Sequence, residues 1–387
     1  MKDFKAIVRE YKKINFDLQK AALATVVNVR GSSYRSPGAR MLITDDGRWV
    51  GSISGGCLEG DALRKARQVM LSGKPATVTY DTREESNQNL GIGLGCNGVI
   101  DVLIEPIDAA DSKNPIMLFE EFIDSDEPLA LATMYRSEHA IGDKLLITDS
   151  GSQLHKFQNE VLNEIVFNEL RNVFKSKKSM VKTYDGDGES EIFFELIQPS
   201  ISLVIFGGGF DARPVSELAK SLGWNVTVTD ECVAHIAPIF FPTADKLSLC
   251  NREFIERDFK ITPYTACVLM SHNYEYDRDV LRMIIKSDAP YIGILGPRKR
   301  FDKIQEEFLN EGLTLNASAI DRIHSPIGLD IGAEAPDEIA ISIIAEIQGK
   351  FSSRSGGFLK YNDGPIHQRR GENEHVEKQV YFKDVSL

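Results

Sequence analysis

Cysteine is scarce. Five thiols are spread over 387 residues with no CxxC pair and no Cys/His cluster at zinc-site spacing, so neither a disulfide framework nor a structural zinc site is expected. Positive charge is also short: 45 Lys and Arg stand against 57 Asp and Glu, a formal net charge of -12. That balance disfavours nonspecific binding to nucleic acid or to an anionic membrane surface. No apolar run approaches the roughly 20 residues that cross a bilayer. The opening MKDFKAIVREYKKINF has amphipathic helical spacing and lacks the apolar stretch and cleavage site of a secretory signal, so a cytoplasmic location is expected. No internal repeat stands out.

What is present is a globular composition, 42% hydrophobic and 26% charged, and enough length for two domains with separate cores. The first half mixes β-rich runs such as ALATVVNVRGSSYRSPGARMLIT with helical stretches such as LEGDALRKARQVM. After Gln198–Ser200 the texture becomes a strict alternation of apolar strand and amphipathic helix, the mark of a parallel sheet covered on both faces. The expected fold class is therefore α/β: an N-terminal α+β domain over residues 1–198, a C-terminal Rossmann-type parallel-sheet domain over 199–349, and a polar, glycine-rich tail over 350–387.

In VIFGGGFDARPVSELAK the pattern G-x-G-x-x-G/A is met by Gly207, Gly209 and Ala212, between an apolar strand and a helix. Asp230 ends the next strand, where a ribose hydroxyl is bound in dinucleotide folds and where a carboxylate selects NAD over NADP. Asp211 lies inside the same loop, and its charge opposes a pyrophosphate. Fold alone does not establish nucleotide binding.

Two cysteines are set among glycines: Cys57 in GSISGGCLEG and Cys96 in GLGCNG. A thiolate suits a soft metal, and a helix N-terminus favours thiolate. Cys57 is thus a candidate metal ligand, with the amides near Gly55 and Gly56 as candidate phosphate donors. Glu59 and Asp61, in the first helical turn, oppose that role if they point inward. Cys96 is a second sulfur ligand, a persulfide relay or a turn residue. Cys267 reads as core, and Cys232 and Cys250 as structural. Arg30, Arg35 and Arg40 surround GSSYRSPGA and offer guanidinium groups to a phosphate or pterin oxygen, or form a solvated basic loop. His272, Arg298, His324 and Asp330 fall where open α/β sheets bind ligands, with His272 a candidate proton donor or a structural histidine.

Several blocks together resemble one family. RGSSYRSPGARMLI, GSISGGCLEG and GLGCNG in the first half, and FGGGFDARPVSELAKSLGWNVTVTD, FPTAD, SHNYEYD, GILGPRKR and HSPIGLDIGAEAPDEIAISIIAEI in the second, are similar to the XdhC/CoxI family of accessory proteins that mature xanthine dehydrogenase and related molybdenum hydroxylases. The resemblance implies a chaperone rather than an enzyme in the strict sense. Its bound cargo is the molybdenum cofactor, a phosphate-bearing pterin dithiolene. The family protects it while a cysteine desulfurase supplies a terminal sulfide, then passes it to the apo-enzyme. A homodimer is also expected, with Cys57 matching the family cysteine that holds the cofactor. The chain departs from the family at Phe210 and Asp211, where His followed by an aliphatic residue is usual. The rival expectation is an NAD-dependent oxidoreductase using the Rossmann domain, with Cys57 or His272 in catalysis.

Overall fold

The computed structural model describes residues 1–83, 98–111, 114–138, 140–186 and 188–361, with the backbone of Lys378–Val380. The chain forms two compact units, one built on Asp3–Pro199 and including the Lys378–Val380 strand, the other on Ser200–Tyr361. Each is an α/β structure in its own way.

In the first unit, helix α1 (Lys2–Tyr11) precedes strands β1 (Ala21–Gly31), β2 (Arg40–Thr44) and β3 (Trp49–Gly51), helix α2 (Glu59–Ser72), and strands β4 (Ala76–Asp81) and β5 (Gly98–Ile107). These strands form an antiparallel sheet in the order β3-β2-β1-β5-β4. Strand alternation directs Ala22, Ala24 and Val26 to the face covered by α2, where Ala62, Ala66 and Val69 pack at helical spacing. The opposite face, through Ala21, Leu23 and Leu42, shares a core with Leu129, Leu131 and Leu146 of a second sheet.

That second sheet follows helix α3 (Pro115–Phe122) and contains β6 (Leu129–Arg136), β7 (Lys144–Thr148), β8 (Gln153–Leu154), β9 (Met180–Gly186) and β10 (Gly188–Ile197), with helix α4 (Glu160–Ser176) between β8 and β9. A tail strand, β17 (Lys378–Val380), adds to it parallel to β9. The resulting order is β17-β9-β10-β6-β7-β8.

The second sheet repeats the first, which corrects the expectation of no internal repeat. Arg40–Asp81 and Lys144–Asp185 correspond without insertion or deletion, MLITDDG facing LLITDSG near the start and TYD closing each segment. ALAT occurs in both β1 and β6. The pairings agree as well: Ala24 opposite Met41 and Ala132 opposite Leu145, Leu23 opposite Glu105 and Leu131 opposite Glu195. Both helices end on a left-handed residue, Gly73 and Lys177. The copies are joined by crossed ion pairs. Arg40 of the first binds Glu195 of the second, and Lys144 of the second binds Glu105 of the first, all four side chains being buried.

The second unit runs through β11 (Ser202–Phe206), α5 (Ala212–Ser221), β12 (Asn225–Asp230), β13 (Lys246–Leu249), α6 (Ile255–Asp258), β14 (Thr265–Leu269), α7 (Tyr274–Ile284), β15 (Tyr291–Ile294), α8 (Arg298–Asn310), α9 (Ala317–Asp321), β16 (Ile323–His324) and α10 (Pro336–Phe351). Its strands are parallel in the order β13-β12-β11-β14-β15-β16. One face packs under α5 and α10, the other under α7 and α8. This is the Rossmann-type sheet expected from the alternation, and its strand order reverses between β11 and β14.

Candidate functional site

Cys57 stands on the turn from β3 into α2, two residues before the helix begins. Its thiol is partly exposed and its inner side rests on the α2 core. Gly55 and Gly56, at φ +89° and +126°, shape the turn. The Tyr34 ring lies where a Cβ on Gly55 would sit, within 2.6 Å, so only glycine lets the tyrosine close over the turn. Tyr34 is itself 68% exposed.

The turn closes around Glu59. One carboxylate accepts seven hydrogen bonds: from Ile53 N at 3.2 Å, Ser54 N at 3.0 Å, Gly55 N at 3.2 Å, Gly56 N at 2.9 Å, Leu58 N at 3.2 Å, Ser52 Oγ at 2.8 Å, and Ser54 Oγ. Glu59 is only 4% exposed. Burial by itself would raise its pKa, but the donors of Ser54 and Ser52 and the turn amides prevail and lower it to about 2. The amides expected to receive a phosphate near Gly55 and Gly56 are therefore already taken by the chain's own carboxylate. Glu59 does point inward, as an anchor of the turn. Asp61 is directed elsewhere, to Arg64 and to the Tyr80 hydroxyl.

The arginines of the preceding loop have separate fates. Arg40 is buried, its guanidinium paired with Glu195 and stacked between the rings of Phe4 and Phe119, which removes it from the candidate phosphate binders. Arg35 pairs with Asp3. Arg30 is half-exposed and touches the fully buried Asp101 at 3.3 Å, a carboxylate that also receives Asn28, Thr79 and Arg136. Cys96 and most of its glycine loop lie outside the described residues. A separate concavity lined by Leu42, Arg48, Trp49 and Val50 holds none of the candidate side chains.

In the second unit, Gly207 has φ +119°, and a Cβ there would fall 2.5 Å from the Ser271 backbone, so this glycine lets the loops after β11 and β14 meet. Asp230 is tied down: it accepts from Gly208 N at 2.9 Å and Cys232 N at 2.8 Å, and its Oδ2 lies 3.0 Å from His235 Nδ1. The His235 carbonyl sits over Gly208, 2.5 Å from the place of a Cβ. The aspartate expected at a ribose thus organises the glycine loop instead. Gly209 borders Asp211 and His272, and Ala212 is buried as the first residue of α5.

Asp211 Oδ2 meets His272 Nε2 at 2.8 Å, while its Oδ1 is buried without a hydrogen-bond partner among the described residues, 3.0 Å from the place of a Cβ on Gly209. His272 is exposed and held at φ +60°, an uncommon backbone for a non-glycine residue. The pair lies between the ends of β11 and β14, where the strand order reverses. Arg298 is exposed at the start of α8, and Asp330 is exposed in the loop before α10. His324 is held by Glu346 at 3.0 Å and stacked on Tyr291 at 4.4 Å between ring centres. Among the described residues, no group of three or more His, Cys, Asp or Glu is placed to hold a metal ion.

Sequence reasoning missed Tyr34 and misread Glu59. The signal for the second was the run of Ser and Gly just before a Glu at the helix start, a stretch rich in amide and hydroxyl donors within reach of that carboxylate.

A glycine-arched cysteine in a duplicated antiparallel module, followed in the same chain by a parallel Rossmann sheet, defines a two-unit α/β protein. Residues 18–81 match the model of the XdhC and CoxI family, and residues 203–347 match that of the XdhC Rossmann domain. Over 331 residues the chain is 30% identical to a Bacillus subtilis protein named as a probable xanthine dehydrogenase subunit, spanning 86% of this chain and 93% of that protein. It is 23% identical to the molybdenum cofactor insertion chaperone PaoD of Escherichia coli, over 89% and 88% of the two chains. A crystal structure described as a xanthine dehydrogenase from Bacillus halodurans superposes with a TM-score of 0.74 at 30% identity, covering 92% of this chain and 97% of that one. The chain belongs to the XdhC and CoxI family.

Proposed function

We propose that this protein is a molybdenum cofactor chaperone that binds the cofactor, holds it for sulfuration and delivers it to a xanthine dehydrogenase-type apo-enzyme. Family membership supports a maturation role, and the Escherichia coli relative is named for cofactor insertion. The observation that carries the reading is Cys57: a partly exposed thiol on a turn that is rigidly tied to its own helix.

The cargo arrives with its metal already held by a dithiolene. A single added thiolate is therefore enough to retain it, and thiolate suits that soft centre. The exposed Tyr34 ring beside the turn offers a face for the planar pterin. Because the turn amides serve Glu59, the phosphate is assigned to arginine, with Arg35 as the candidate; it would exchange its Asp3 partner for the anion. In the Rossmann unit, His272 oriented by Asp211 is the proposed proton-handling group, and Arg298 an exposed cation on the same edge of the sheet. A cysteine desulfurase is the proposed sulfur donor, and the working form is proposed to be a homodimer in the cytoplasm.

Purification from a molybdenum-replete host tests the reading. Molybdenum and pterin per chain should fall sharply in Cys57→Ala and stay unchanged in Cys267→Ala, whose thiol is fully buried. Adding desulfurase and cysteine to loaded protein should raise the activity reconstituted in a sulfide-dependent apo-hydroxylase. Equal retention by folded Cys57→Ala would remove Cys57 from the mechanism, and no gain on sulfuration would leave a carrier only.

A further inference from the structure

The duplication in the first unit supplies an internal comparison for the cysteine turn. Where the first copy has Cys57 the second has Val161, and where the first has Glu59 the second has Asn163. Asn163 accepts one bond on the equivalent turn, from Phe157 N at 3.0 Å. That bond is the counterpart of Ile53 N to Glu59. Helix α4 nevertheless packs on its sheet through Leu162, Val166, Leu170 and Val173, as α2 does through Ala62, Ala66 and Val69. Asn159, the residue before α4, accepts from Leu162 N at 3.0 Å, so two neutral acceptors with one bond each are sufficient to close this turn and seat its helix.

Glu59 does far more than the fold requires. It is charged, buried and bound by seven donors, and it occurs in the copy that bears the cysteine. The amides of Gly56 and Leu58, on either side of Cys57, both donate to its Oε2. The cysteine backbone is therefore clamped from both ends.

We infer that Glu59 is the positioning residue of the Cys57 site: its carboxylate gathers the amides of residues 53–56 and 58 into one conformation and so fixes the direction of the thiol. It also acts as the built-in anion of the turn. Amides that would otherwise attract the phosphate of a ligand are satisfied, so a phosphate-bearing cargo is steered to present its metal, not its phosphate, to the cysteine. This second consequence rests on the proposed cargo; the clamp itself is a property of the chain alone.

The residue carried by the second copy defines the variant to make, Glu59→Asn, with Glu59→Ala beside it, both in the full-length chain. Cys57 alkylation by iodoacetamide is followed by peptide mass spectrometry on cargo-free protein, with thermal unfolding measured in parallel. Glu59→Asn should fold as the unaltered protein does, while Cys57 reacts about tenfold faster because the turn opens locally. In Glu59→Ala, added formate should slow the reaction again by refilling the carboxylate position. Molybdenum retention by Glu59→Asn should fall towards that of Cys57→Ala.

An unchanged alkylation rate in Glu59→Asn would overturn the inference. So would failure of that variant to fold, which would make Glu59 a requirement of the fold. Faster alkylation together with full molybdenum retention in both Glu59→Asn and Cys57→Ala would uphold the clamp and reject the cargo reading.

Discussion

Arg40 and Glu195 meet through two parallel hydrogen bonds, Nη1 to Oε1 at 2.9 Å and Nη2 to Oε2 at 2.6 Å, across the junction of the two sheets. Both side chains are buried, and the guanidinium also donates to the Gly38 carbonyl at 2.8 Å. Removing one partner leaves an uncompensated charge in the core, which typically costs about 3–5 kcal/mol. Arg40→Ala should therefore lower the urea midpoint strongly, while Arg40→Met combined with Glu195→Leu should recover most of the loss. An unchanged midpoint in Arg40→Ala would show that the pair contributes little.

The described thiols should separate by reactivity. Complete burial pushes Cys267 up to about 12, and burial together with the nearby Asp258 carboxylate pushes Cys250 up to about 11. Each should hold less thiolate than an ordinary cysteine at the same pH, by a factor on the order of a hundred or more. Cys57 and Cys232, both with surface access, should be labelled in native protein at pH 8, whereas Cys250 and Cys267 should react only after denaturation. Peptide mapping of the labelled chain checks the order.

Acid should loosen the cysteine turn in a defined window. The folded pKa of Glu59, about 2, lies below its ordinary value of 4.5, so its stabilising contribution is complete above about pH 4.5. That contribution is lost as pH falls towards 2. Reaction of Cys57 with 4,4′-dithiodipyridine, corrected for a model thiol, should accelerate across that window. Glu59→Asn, with no carboxylate to protonate, should lack the step.

Dinucleotide binding should be weak. With Asp230 engaged by Gly208 and His235, calorimetry with NAD or NADP should give a Kd above about 1 mM. Asp230→Ala should destabilise the Rossmann unit by unpairing the Gly208 and Cys232 amides, by about 1–3 kcal/mol, without a matching change in ligand affinity. Tight NAD binding by the unaltered chain would return Asp230 to a ribose-binding role.

Local patterns in the sequence were enough to read much of this architecture. The strict strand and helix alternation after Ser200 specifies a parallel sheet, because each apolar strand and amphipathic helix can bury its surface only in that arrangement. The period change after Cys57 marks the start of α2, and the glycines before it mark a turn of unusual backbone. The duplication was harder to see. Its copies agree at positions that face the cores or pair across strands, such as ALAT and LIT, and differ where the surface and the cysteine turn are built.

What only the tertiary structure decided is the partner of each charged side chain. A glutamate in the first turn of a helix reads as a charge opposing a thiolate, yet Glu59 bends back to satisfy five amides. An arginine in a glycine-rich stretch reads as an anion binder, yet Arg40 is sealed by Glu195, more than a hundred residues away in sequence. Asp230 follows the same logic, ending its strand as the motif requires and then spending its oxygens on the loop beside it. The sign of a charge is written in the chain, but its direction is set by which donors the folded backbone leaves unpaired, and burial makes those donors bind whichever carboxylate lies within reach.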